Sequence, residues 1–547
     1  MKVTFKAPSS FMRRPLVGRV SLCTLFVLGA VAACGGEPPA SVPGDGDGDT
    51  DGNGSGGDVA NPASGGSFTG TGGRTGSGSG PNNSGGGPIT GGGGGGGVDG
   101  SGGAAQGGNG DFEETGTLAN CTFTINGAPA AEMPTVGVVD FQVTGLASAI
   151  TAGVVQFGLT TDYSLSGPVD LQAASYKTLL LGMKKNSAYH YRIGVSTGSE
   201  YCYSDDQTLQ TGGLRAGVNE LTNKAVTGTV APGFIVAAAK STAAIYNKEG
   251  DLVWGYAFEA GSGAVGGIFS AKLSYDGKYM IARDLGPFDA GTGGQFFVVA
   301  IDGSGLTTFD AQGGDHHDFT VTPNGIAYIA KEAAGSVDQI FTVNLDGTNA
   351  KILADLKPFV DAFPQNGGLG EASHINVIHY WQERDEYTVS NRESDAIAVV
   401  SGSGEVLAGF GKPATGSPSF TTVVAEGAEG GAGAVWRVQH GHDIYAEDKF
   451  LVFSNNNMGS TSHALHYTIT GNTAQLDWQY TAMGNSGTQG DIQMLPNGNV
   501  LITASNAGTI HEINSSQQLQ ASYSNGANGF GYVMHRPSLY GAPPQGR

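Results

Sequence analysis

Apolar and polar residues alternate in short runs along residues 225–547, and Asp, Asn, Ser or Gly interrupts the runs at regular intervals. An alternation of period two places every second side chain on one face of a strand, and the interrupting residues favour tight turns. The pattern therefore predicts β-hairpins. Six such hairpins recur along the segment: AAIYNKEGDLVWGYA, FVVAIDGSGLTTF, QIFTVNLDGTNAKIL, AIAVVSGSGEVLAGF, ALHYTITGNTAQLDWQY and TIHEINSSQQLQASY.

Most of these hairpins follow another hairpin, so the repeating unit has four strands. The preceding hairpins are SAKLSYDGKYMIARD, HHDFTVTPNGIAYIA, HGHDIYAEDKFLVFS and GDIQMLPNGNVLITA. A repeat in which each unit is a small antiparallel sheet is typical of a β-propeller, whose circular closure protects the sheet edges. Six units predict a six-bladed β-propeller over residues 225–547.

Residues 113–215 also alternate in short runs, without helical periodicity. The stretch LLLGMKKNSAYHYRIGV resembles part of a fibronectin type III-like β-sandwich, with Tyr189 and Tyr191 near a late strand. The tyrosines and His190 are expected to pack rather than to carry chemistry. The predicted fold class is therefore all-β, a small fibronectin type III-like sandwich followed by a six-bladed propeller.

The first 33 residues have a different pattern, in which arginines precede the apolar run LCTLFVLGAVAA. The run is too short to span a bilayer as a helix and is typical of a secretory signal. Its end, VAAC, resembles a bacterial lipobox, which implies that Cys34 becomes the lipidated N-terminus and anchors the protein to a membrane. Gly35 follows instead of Asp, so we expect an outer-membrane lipoprotein whose domains face the periplasm or the cell surface. An ordinary cleaved signal is the alternative.

Residues 34–112 consist almost entirely of Gly, Ser, Asp, Asn, Pro, Ala and Thr. A segment with so few core-forming side chains is predicted to be a flexible linker. Its polyglycine run is not a phosphate-binding loop, because no Gly-Lys-Ser/Thr follows it.

The cysteines and the charge narrow the function further. Cys23 lies in the signal and Cys34 in the lipobox, which leaves Cys121 and Cys202 to form a predicted disulfide in an exported chain, between the first and last strands of the sandwich. No cysteine cluster indicates zinc. The formal net charge of −21 argues against nucleic-acid binding.

Three stretches of the predicted propeller, DHHDF, SHINVIHY and VQHGHD, each hold two of the eleven histidines. When the repeats are aligned on the turn of their first hairpin, His317, His374 and His440 occupy the same position, and Gly490 takes this position in a fourth repeat. The first strand of each propeller blade lines the central channel. Equivalent positions at its start form a ring at one mouth, so the three histidines are predicted to converge on one site.

The motifs HHDFTVTPNG, SHIN, SNRESDAI and QHGHD, in this order, resemble the bacterial aryl sulfotransferase family, as do GDIQMLPNGNVLITAS and the Trp254 hairpin KEGDLVWGY. The preceding sandwich also suits this family. The resemblance implies a six-bladed propeller enzyme that moves a sulfuryl group from an aryl sulfate ester to a phenol. It further implies a ping-pong route through a sulfated histidine, with aryl sulfates and phenols as substrates, no nucleotide sulfate donor and no cofactor.

The family's nucleophile lies in a QHD-type motif, which maps onto His440. This chain departs from the family because QHGHD contains two histidines. The gapless register favours His440, whereas adjacency to an aspartate favours His442. Both residues remain candidates for the nucleophile.

The residue types at this predicted site suit the chemistry. Neutral imidazole is a nucleophile at pH 7, and the negative charge on the transferred group requires cationic or hydrogen-bonding donors. Arg392 offers a planar fork for an oxyanion, and Asn376 offers an amide donor. His317 and His374 can donate to sulfuryl oxygens or protonate the leaving phenolate.

Two other functions remain open. Three imidazoles around an axis could hold zinc in a metal-dependent hydrolase, although Arg392 nearby would repel a dication, so no metal ligand is assigned. A propeller lipoprotein could also bind a ligand or a partner without catalysis.

The remaining histidines are expected outside the site. His316 should point away from His317, and His379 should lie at the surface in a long turn. Exposed positions on outer or terminal strands are expected for His463, His466, His511 and His535. Capping of strand ends or turns is expected for Asp318, Asp443 and Asp491.

Overall fold

The computed structural model describes residues 112–547 apart from 219, 259–266, 285–293, 334, 366–369, 417, 431–433, 457–460, 482–483 and 544–547. The predicted signal peptide, the lipidation site Cys34 and the predicted linker up to residue 111 lie outside the described residues, as does the side chain of His316. The last linker residue, Phe112, packs edge-on against Tyr203 at a centroid distance of 5.6 Å. Among the described residues, no helix has the length and apolar character needed to cross a membrane.

Nine strands form a sandwich of two sheets, one in the order β1-β8-β7-β4-β5 with β9 also paired to β7, the other in the order β2-β3-β6. Their bounds are β1 Thr117–Leu118, β2 Thr122–Pro129, β3 Gly137–Thr144, β4 Ala152–Gly158, β5 Leu165–Pro168, β6 Tyr176–Leu180, β7 Ala188–Ser196, β8 Glu200–Tyr203 and β9 Gln207–Gln210. Alternate residues of β7, including Tyr189, Tyr191 and Ile193, are buried in the core between the sheets. The alternation of apolar and polar residues in this segment therefore arises because every second side chain is buried between the two sheets.

The predicted disulfide is confirmed, because Cys121 and Cys202 are bonded. Its place differs from the prediction. Cys121 immediately precedes β2 and Cys202 lies in β8, whereas the last strand, β9, pairs with the other half of β7.

The remaining strands form repeated four-stranded sheets. The bounds are β10 Asn223–Val226, β11 Phe234–Ala239, β12 Thr242–Asn247, β13 Leu252–Ala257, β14 Ile268–Leu273, β15 Tyr279–Asp284, β16 Gln295–Ala300, β17 Leu306–Asp310, β18 Gly314–Thr322, β19 Gly325–Lys331, β20 Asp338–Val343, β21 Lys351–Asp355, β22 Ile375–Trp381, β23 Glu386–Asn391, β24 Ala396–Ser401, β25 Val406–Gly411, β26 Thr421–Ala425, β27 Gly441–Ala446, β28 Lys449–Ser454, β29 His463–Thr470, β30 Thr473–Thr481, β31 Asp491–Met494, β32 Val500–Ala504, β33 Thr509–Ile513, β34 Leu519–Ser524 and β35 Val533–Arg536. A short helix, α1 Lys357–Ala362, lies between β21 and β22.

We number these four-stranded sheets as repeats 1 to 6. Repeat 1 consists of β35, β11, β12 and β13, and repeats 2 to 6 begin at β14, β18, β22, β27 and β31. Strand β26 bridges the outer strands of repeats 4 and 5 by parallel pairing. The prediction of an all-β protein with a propeller-like architecture is confirmed, and the hairpins predicted from the alternation are present.

Apolar clusters join each repeat to the next in a circle. Ile281 and Phe296 of repeat 2, for example, pack with Phe319 and Tyr328 of repeat 3. Comparable clusters join repeats 1 and 2, 3 and 4, 4 and 5, 5 and 6, and 6 and 1. The innermost strands combine apolar residues, which pack between repeats, with buried polar residues such as Lys272, Asp443 and Gln493.

The two ends of this region complete the circle. The C-terminal strand β35 pairs with β11 as the innermost strand of repeat 1, and β10 pairs with β34 at the outer edge of repeat 6. These pairings satisfy strand edges that would otherwise be exposed.

The sandwich packs directly on repeats 1 and 2. Met133 and Leu181 of the sandwich belong to the apolar cluster that joins those repeats. The Tyr540 hydroxyl donates to the Leu179 carbonyl and accepts from the Leu181 N–H, both at 2.8 Å. The contact is therefore both apolar and hydrogen-bonded.

We predict that the double substitution Cys121→Ser with Cys202→Ser lowers the free energy of unfolding by about 2–4 kcal/mol, because the disulfide closes a long loop in the unfolded chain. The two cysteines are 81 residues apart in sequence. Chemical denaturation followed by tryptophan fluorescence and circular dichroism measures the change. A reducing agent should destabilise the wild type and leave the variant unaffected; an unchanged wild-type midpoint under reduction would contradict the prediction.

Candidate functional site

His317, His374 and His440 come together at one end of the inner strands. His317 lies in β18. His374 immediately precedes the first strand of repeat 4, and His440 immediately precedes the first strand of repeat 5. The ring centroids of His317 and His374 are 4.6 Å apart, and those of His317 and His440 are 5.8 Å apart. Each of the three residues is at most 5% exposed. The structure thus places the three register-equivalent histidines in one buried cluster.

Strand pairing shows why they converge. Ile375 and Gly441, the residues that follow two of the histidines, pair with Asn391 and Phe453 at the end of the second strand. In repeat 6, Gly490 holds the equivalent position at a φ of 126°, and a Cβ there would lie 2.2 Å from the Phe453 ring. A side chain therefore does not fit at this point of the ring.

The backbone beside the cluster is strained. His317 has a φ of 64° and Val438 a φ of 52°, which is rare for any residue with a Cβ and most unfavourable for a β-branched one. The Val438 N–H donates to Asp395 Oδ1 at 2.6 Å, so the neighbouring repeat holds this conformation. Burial raises the pKa of Asp395 to about 6. Strain of this kind concentrates at functional sites.

Asn455 fixes the tautomer of His440. Its Nδ2 donates to the carbonyls of Ser486 and Gln489, both at 2.6 Å, so its Oδ1 must face the imidazole as an acceptor. His440 Nδ1 lies 2.9 Å from that Oδ1 and 3.1 Å from the Val438 carbonyl, and therefore carries the proton. The lone pair is consequently on Nε2, which is buried and has no hydrogen-bond partner among the described residues.

The electrostatic environment keeps His440 neutral. Burial, followed by the positive charges of Arg392 and His374, lowers the pKa of His440 to about 3. At any pH well above this value the imidazole is uncharged, so the Nε2 lone pair remains available. A neutral, oriented imidazole is the form required of a nucleophile.

Arg392 brings positive charge to the cluster. It is 6% exposed and begins a 3₁₀ turn, Arg392–Ser394, at the end of β23. Its N–H donates to the His374 carbonyl at 2.9 Å, and its guanidinium pairs with the buried Glu393 carboxylate. The backbone of Arg392 is therefore bonded to the histidine cluster, and the Glu393 carboxylate holds its guanidinium.

Asn376 holds the segment that carries His440. Its Nδ2 donates to the Gln439 carbonyl at 2.8 Å, and its own carbonyl accepts from the Tyr532 hydroxyl at 2.8 Å. The sequence predicted an amide donor for a substrate oxygen. In the structure this amide donates to the backbone next to His440, so its role here is positioning.

His442 has different surroundings from His440. Its Nε2 lies 2.8 Å from Thr388 Oγ1, and its ring lies 5.0 Å from that of His379. Burial, followed by the charge of Lys272, lowers the pKa of His442 to about 3. His442 lies only two positions after His440, but its contacts are with Thr388 and His379 and not with the cluster formed by His317, His374 and His440.

The expected surface position of His379 is wrong. Strand β22 continues to Trp381, and only then does a 3₁₀ turn, Gln382–Arg384, begin the turn of the hairpin. His379 is therefore a half-buried strand residue that lines a small cavity of about 30 Å³ together with Lys272 and Gln493.

Three further histidines are buried where exposure was expected. His466 pairs with Asp477 at 2.7 Å, His511 with the Tyr480 hydroxyl at 3.2 Å, and His535 with the Pro232 carbonyl at 3.1 Å. Trp478 of the next strand covers His466, Tyr480 of the preceding repeat covers His511, and the closing strand β35 carries His535 inward. His463, by contrast, is half-buried.

The aspartates predicted as caps mostly link repeats instead. Asp318 accepts from Ser270 Oγ at 2.8 Å and forms a buried ion pair with Lys272 at 2.7 Å. Asp443 accepts from the Met494 N–H of the next repeat at 2.7 Å. Asp491 alone accepts locally, from the Ile492 N–H at 2.8 Å, at the start of its strand.

Sequence reasoning missed several residues that support the cluster. Arg283 is buried, and its guanidinium donates to the carbonyls of His317 and Asp318 at 3.2 and 3.1 Å. Asn455 carried a readable signal, because a Ser-Asn pair lies at or directly after the end of the second strand in three repeats: Ser390-Asn391, Ser454-Asn455 and Ser505-Asn506. Glu371 also contacts the cluster, and no repeated motif marks it.

Comparison with known proteins supports the family. Residues 333–526 match the family model described as Arylsulfotransferase (ASST), so the predicted family resemblance is confirmed over this part of the chain. No curated protein matches the chain. Among the described residues, no group of three or more His, Cys, Asp or Glu has an arrangement suited to a metal ion.

Similar solved structures are distant. The streptogramin B lyase structure is 12% identical with a TM-score of 0.33, covering 58% of this chain and 100% of that chain. The β-propeller domain of the Trilobed protease from Pyrococcus furiosus is 8% identical with a TM-score of 0.26, covering 48% and 72%. A protein of unknown function from Bacteroides thetaiotaomicron VPI-5482 is 11% identical with a TM-score of 0.29, covering 76% and 98%. Likenesses this distant carry no information on activity.

We predict that the imidazole ¹⁵N chemical shifts of His440 show protonated Nδ1 and unprotonated Nε2 from about pH 5 to pH 8, because the pKa is lowered to about 3. Asn455→Leu should raise the population of the tautomer protonated on Nε2, because only the longer contact of 3.1 Å with the Val438 carbonyl then holds the Nδ1 proton. His442 in the same sample serves as an internal control that should not change. A titration of His440 within this range, or unchanged shifts in Asn455→Leu, would contradict the argument.

Proposed function

Since residues 333–526 match the arylsulfotransferase family, as the motifs predicted, we propose that the protein transfers a sulfuryl group from an aryl sulfate ester to a phenol through a sulfated His440. One observation carries the proposal. His440 Nε2 is a buried, neutral nitrogen with a fixed lone pair beside a buried arginine and two further imidazoles. His442, the other candidate, lies outside that cluster.

In the first half-reaction, the Nε2 lone pair of His440 attacks sulfur. The S–N bond forms while the bond between sulfur and the aryl oxygen breaks, and the aryl oxygen leaves with the electron pair. One of the two neighbouring imidazoles supplies a proton to this oxygen, which departs as a phenol. The product is His440 with a sulfuryl group on Nε2.

The site also suits the charge of the transferred group. The sulfuryl oxygens carry negative charge throughout the reaction, and Arg392 already acts electrostatically on His440, as the lowered pKa shows. The ring centroid of His317 lies 5.8 Å from that of His440 and 4.6 Å from that of His374. One of these two imidazoles donates to the other, because their Nε2 atoms are 3.1 Å apart, and both can turn an N–H towards sulfuryl oxygens that enter the cluster. Fixed donors in a buried site stabilise such charge more than water does.

In the second half-reaction, a phenol acceptor occupies the place that the first phenol left. The imidazole that gave up its proton now accepts the phenol proton, and the phenol oxygen attacks sulfur. The S–N bond breaks, and the electron pair returns to His440 Nε2. A single site for both phenols requires the ping-pong order.

We also propose that the protein acts outside the cytoplasm as a lipoprotein anchored through Cys34, on the outer membrane. The signal-like residues 1–33 and the lipobox-like VAAC support this location. The Cys121–Cys202 disulfide adds support, because structural disulfides persist in oxidising compartments.

We predict that His440→Ala abolishes sulfuryl transfer without loss of fold, because it removes the nucleophile. Incubation of the wild type with 4-nitrophenyl sulfate alone should add one sulfuryl group to the peptide that contains residue 440, as read by mass spectrometry under alkaline conditions. His442→Ala is the matched control and should retain the label. A label on His442, or turnover without any label, would reject the assignment; no turnover by the wild type with any phenol would favour a binding protein.

We predict that Arg392→Lys lowers kcat by roughly 10²–10³-fold, the usual effect of losing one fixed donor to a developing anion. Lysine keeps the charge but loses the planar fork. Arg384→Lys is the matched control, because Arg384 also lies in a 3₁₀ turn beside a glutamate, but its side chain is 39% exposed. An unchanged kcat in Arg392→Lys would remove Arg392 from the site.

A further inference from the structure

A row of polar contacts leads from the histidine cluster towards the surface. His374 Nε2 lies 3.1 Å from His317 Nε2, and His374 Nδ1 lies 3.1 Å from Glu371 Oε2. The same Glu371 oxygen accepts from Lys331 Nζ at 2.8 Å. The row therefore joins the end of β19 to the segment before β22.

Exposure rises along this row as far as Glu371 and is lower again at Lys331. His317 is 0% exposed and His374 5%, whereas the Lys331 and Glu371 side chains are 15% and 38% exposed. His374 consequently has a carboxylate behind it and the His317 imidazole, which adjoins His440, in front of it. His440, by comparison, has the neutral Asn455 behind it.

We propose that Glu371 is a positioning residue that makes His374, among the three clustered histidines, the group that exchanges a proton with the phenol oxygen. This inference rests on the proposed sulfuryl transfer and deepens it. A carboxylate accepts hydrogen bonds only, so Glu371 fixes a proton on His374 Nδ1. His374 Nε2 then faces His317 Nε2 inside the cluster, where a phenol oxygen that enters the site takes the place of this contact. Its negative charge also stabilises the imidazolium form of His374.

The charge of Glu371 is itself protected. Burial alone would raise the pKa of Glu371, but the hydrogen bond and charge of His374 and then those of Lys331 outweigh burial and lower this pKa to about 2. Lys331 therefore keeps Glu371 anionic when His374 is neutral. Among the described residues, the titratable and charged groups that interact with His374 include Glu371, His317, His440 and Arg392, and Lys331 and Glu393 lie one contact further out.

The proton balance closes over one catalytic cycle. When the donor's S–O bond breaks, the His374 Nε2 proton moves to the leaving aryl oxygen, and His374 becomes neutral with its Nδ1 proton still held by Glu371. When the acceptor phenol attacks the sulfuryl group, its proton moves to His374 Nε2. His374 is then cationic again, so neither an outside acid nor an outside base is consumed.

The test is Glu371→Gln in the full protein, assayed with aryl sulfates whose phenols span a wide range of pKa. We expect roughly 10²-fold lower kcat/KM for donors with basic phenols, which need a proton to leave, and little change for 4-nitrophenyl sulfate, which does not. The activity of the variant with basic donors should fall at lower pH than that of the wild type, because the His374 pKa decreases. Glu332→Gln, at an exposed neighbouring position, is the matched control and should change nothing.

Lys331→Met is a second variant, for which we expect the pH profile to shift in the opposite direction. Removing this positive charge raises the His374 pKa, so the same loss of activity should move to higher pH. A purely structural role for Glu371 predicts an equal loss with every donor and an unshifted pH profile in both variants, and either this result or unchanged kinetics would overturn the inference. If the wild type forms sulfated His440 and both variants show either of these results, only the inference about Glu371 fails. If the wild type forms no sulfated His440, the proposed function fails as well.

Discussion

The pairing of β35 with β11 is the constraint on which the rest of the molecule depends. It converts a row of four-stranded sheets into a circle in which every repeat packs on two neighbours. Within a closed circle the start of each first strand must face the same axis. Side chains from repeats that are far apart in sequence, such as His317 and His440, therefore meet without any local motif that brings them together.

Burial of so many polar groups at the axis is costly, and the second strands offset that cost. Asn391 accepts from the His374 N–H at 2.9 Å, and Asn455 binds both His440 and two carbonyls. The same burial that makes these hydrogen bonds necessary also lowers the pKa of His440. The low pKa of the nucleophile is thus a consequence of the burial that the hydrogen bonds between repeats make possible. In a solvated site the imidazole would titrate near neutral pH.

The sequence predicted the fold and the histidine cluster because both depend on a repeat that can be aligned on its turns. His317, His374 and His440 follow from counting back from a turn, which requires no knowledge of side-chain packing. The same reasoning failed for His379, because a 3₁₀ turn extends β22 beyond the expected turn. It failed for His535, because no pattern in the sequence shows that the last strand is the innermost strand of repeat 1.

Contacts between repeats could not be predicted from the sequence. Glu371 lies in an irregular segment and reaches His374 and Lys331 through geometry that no periodicity encodes. Arg283 reads as one charged residue in an apolar strand, and its bond to the His317 carbonyl depends on the twist between neighbouring sheets. Asn376 was found because it belongs to the SHIN motif, but its orientation towards Gln439 is visible only in the structure.

The innermost position of β35 has a consequence for the order of assembly. A chain made from its N-terminus onwards can pair β11 with β12 early, but repeat 1 lacks its inner strand until residues 533–536 have emerged. Tyr532, which hydrogen-bonds the Asn376 carbonyl across the channel, arrives with the same segment. The histidine cluster therefore acquires its final walls only after residues 532–536 have been synthesised, and a nascent chain carries all three imidazoles well before it holds a pocket around them.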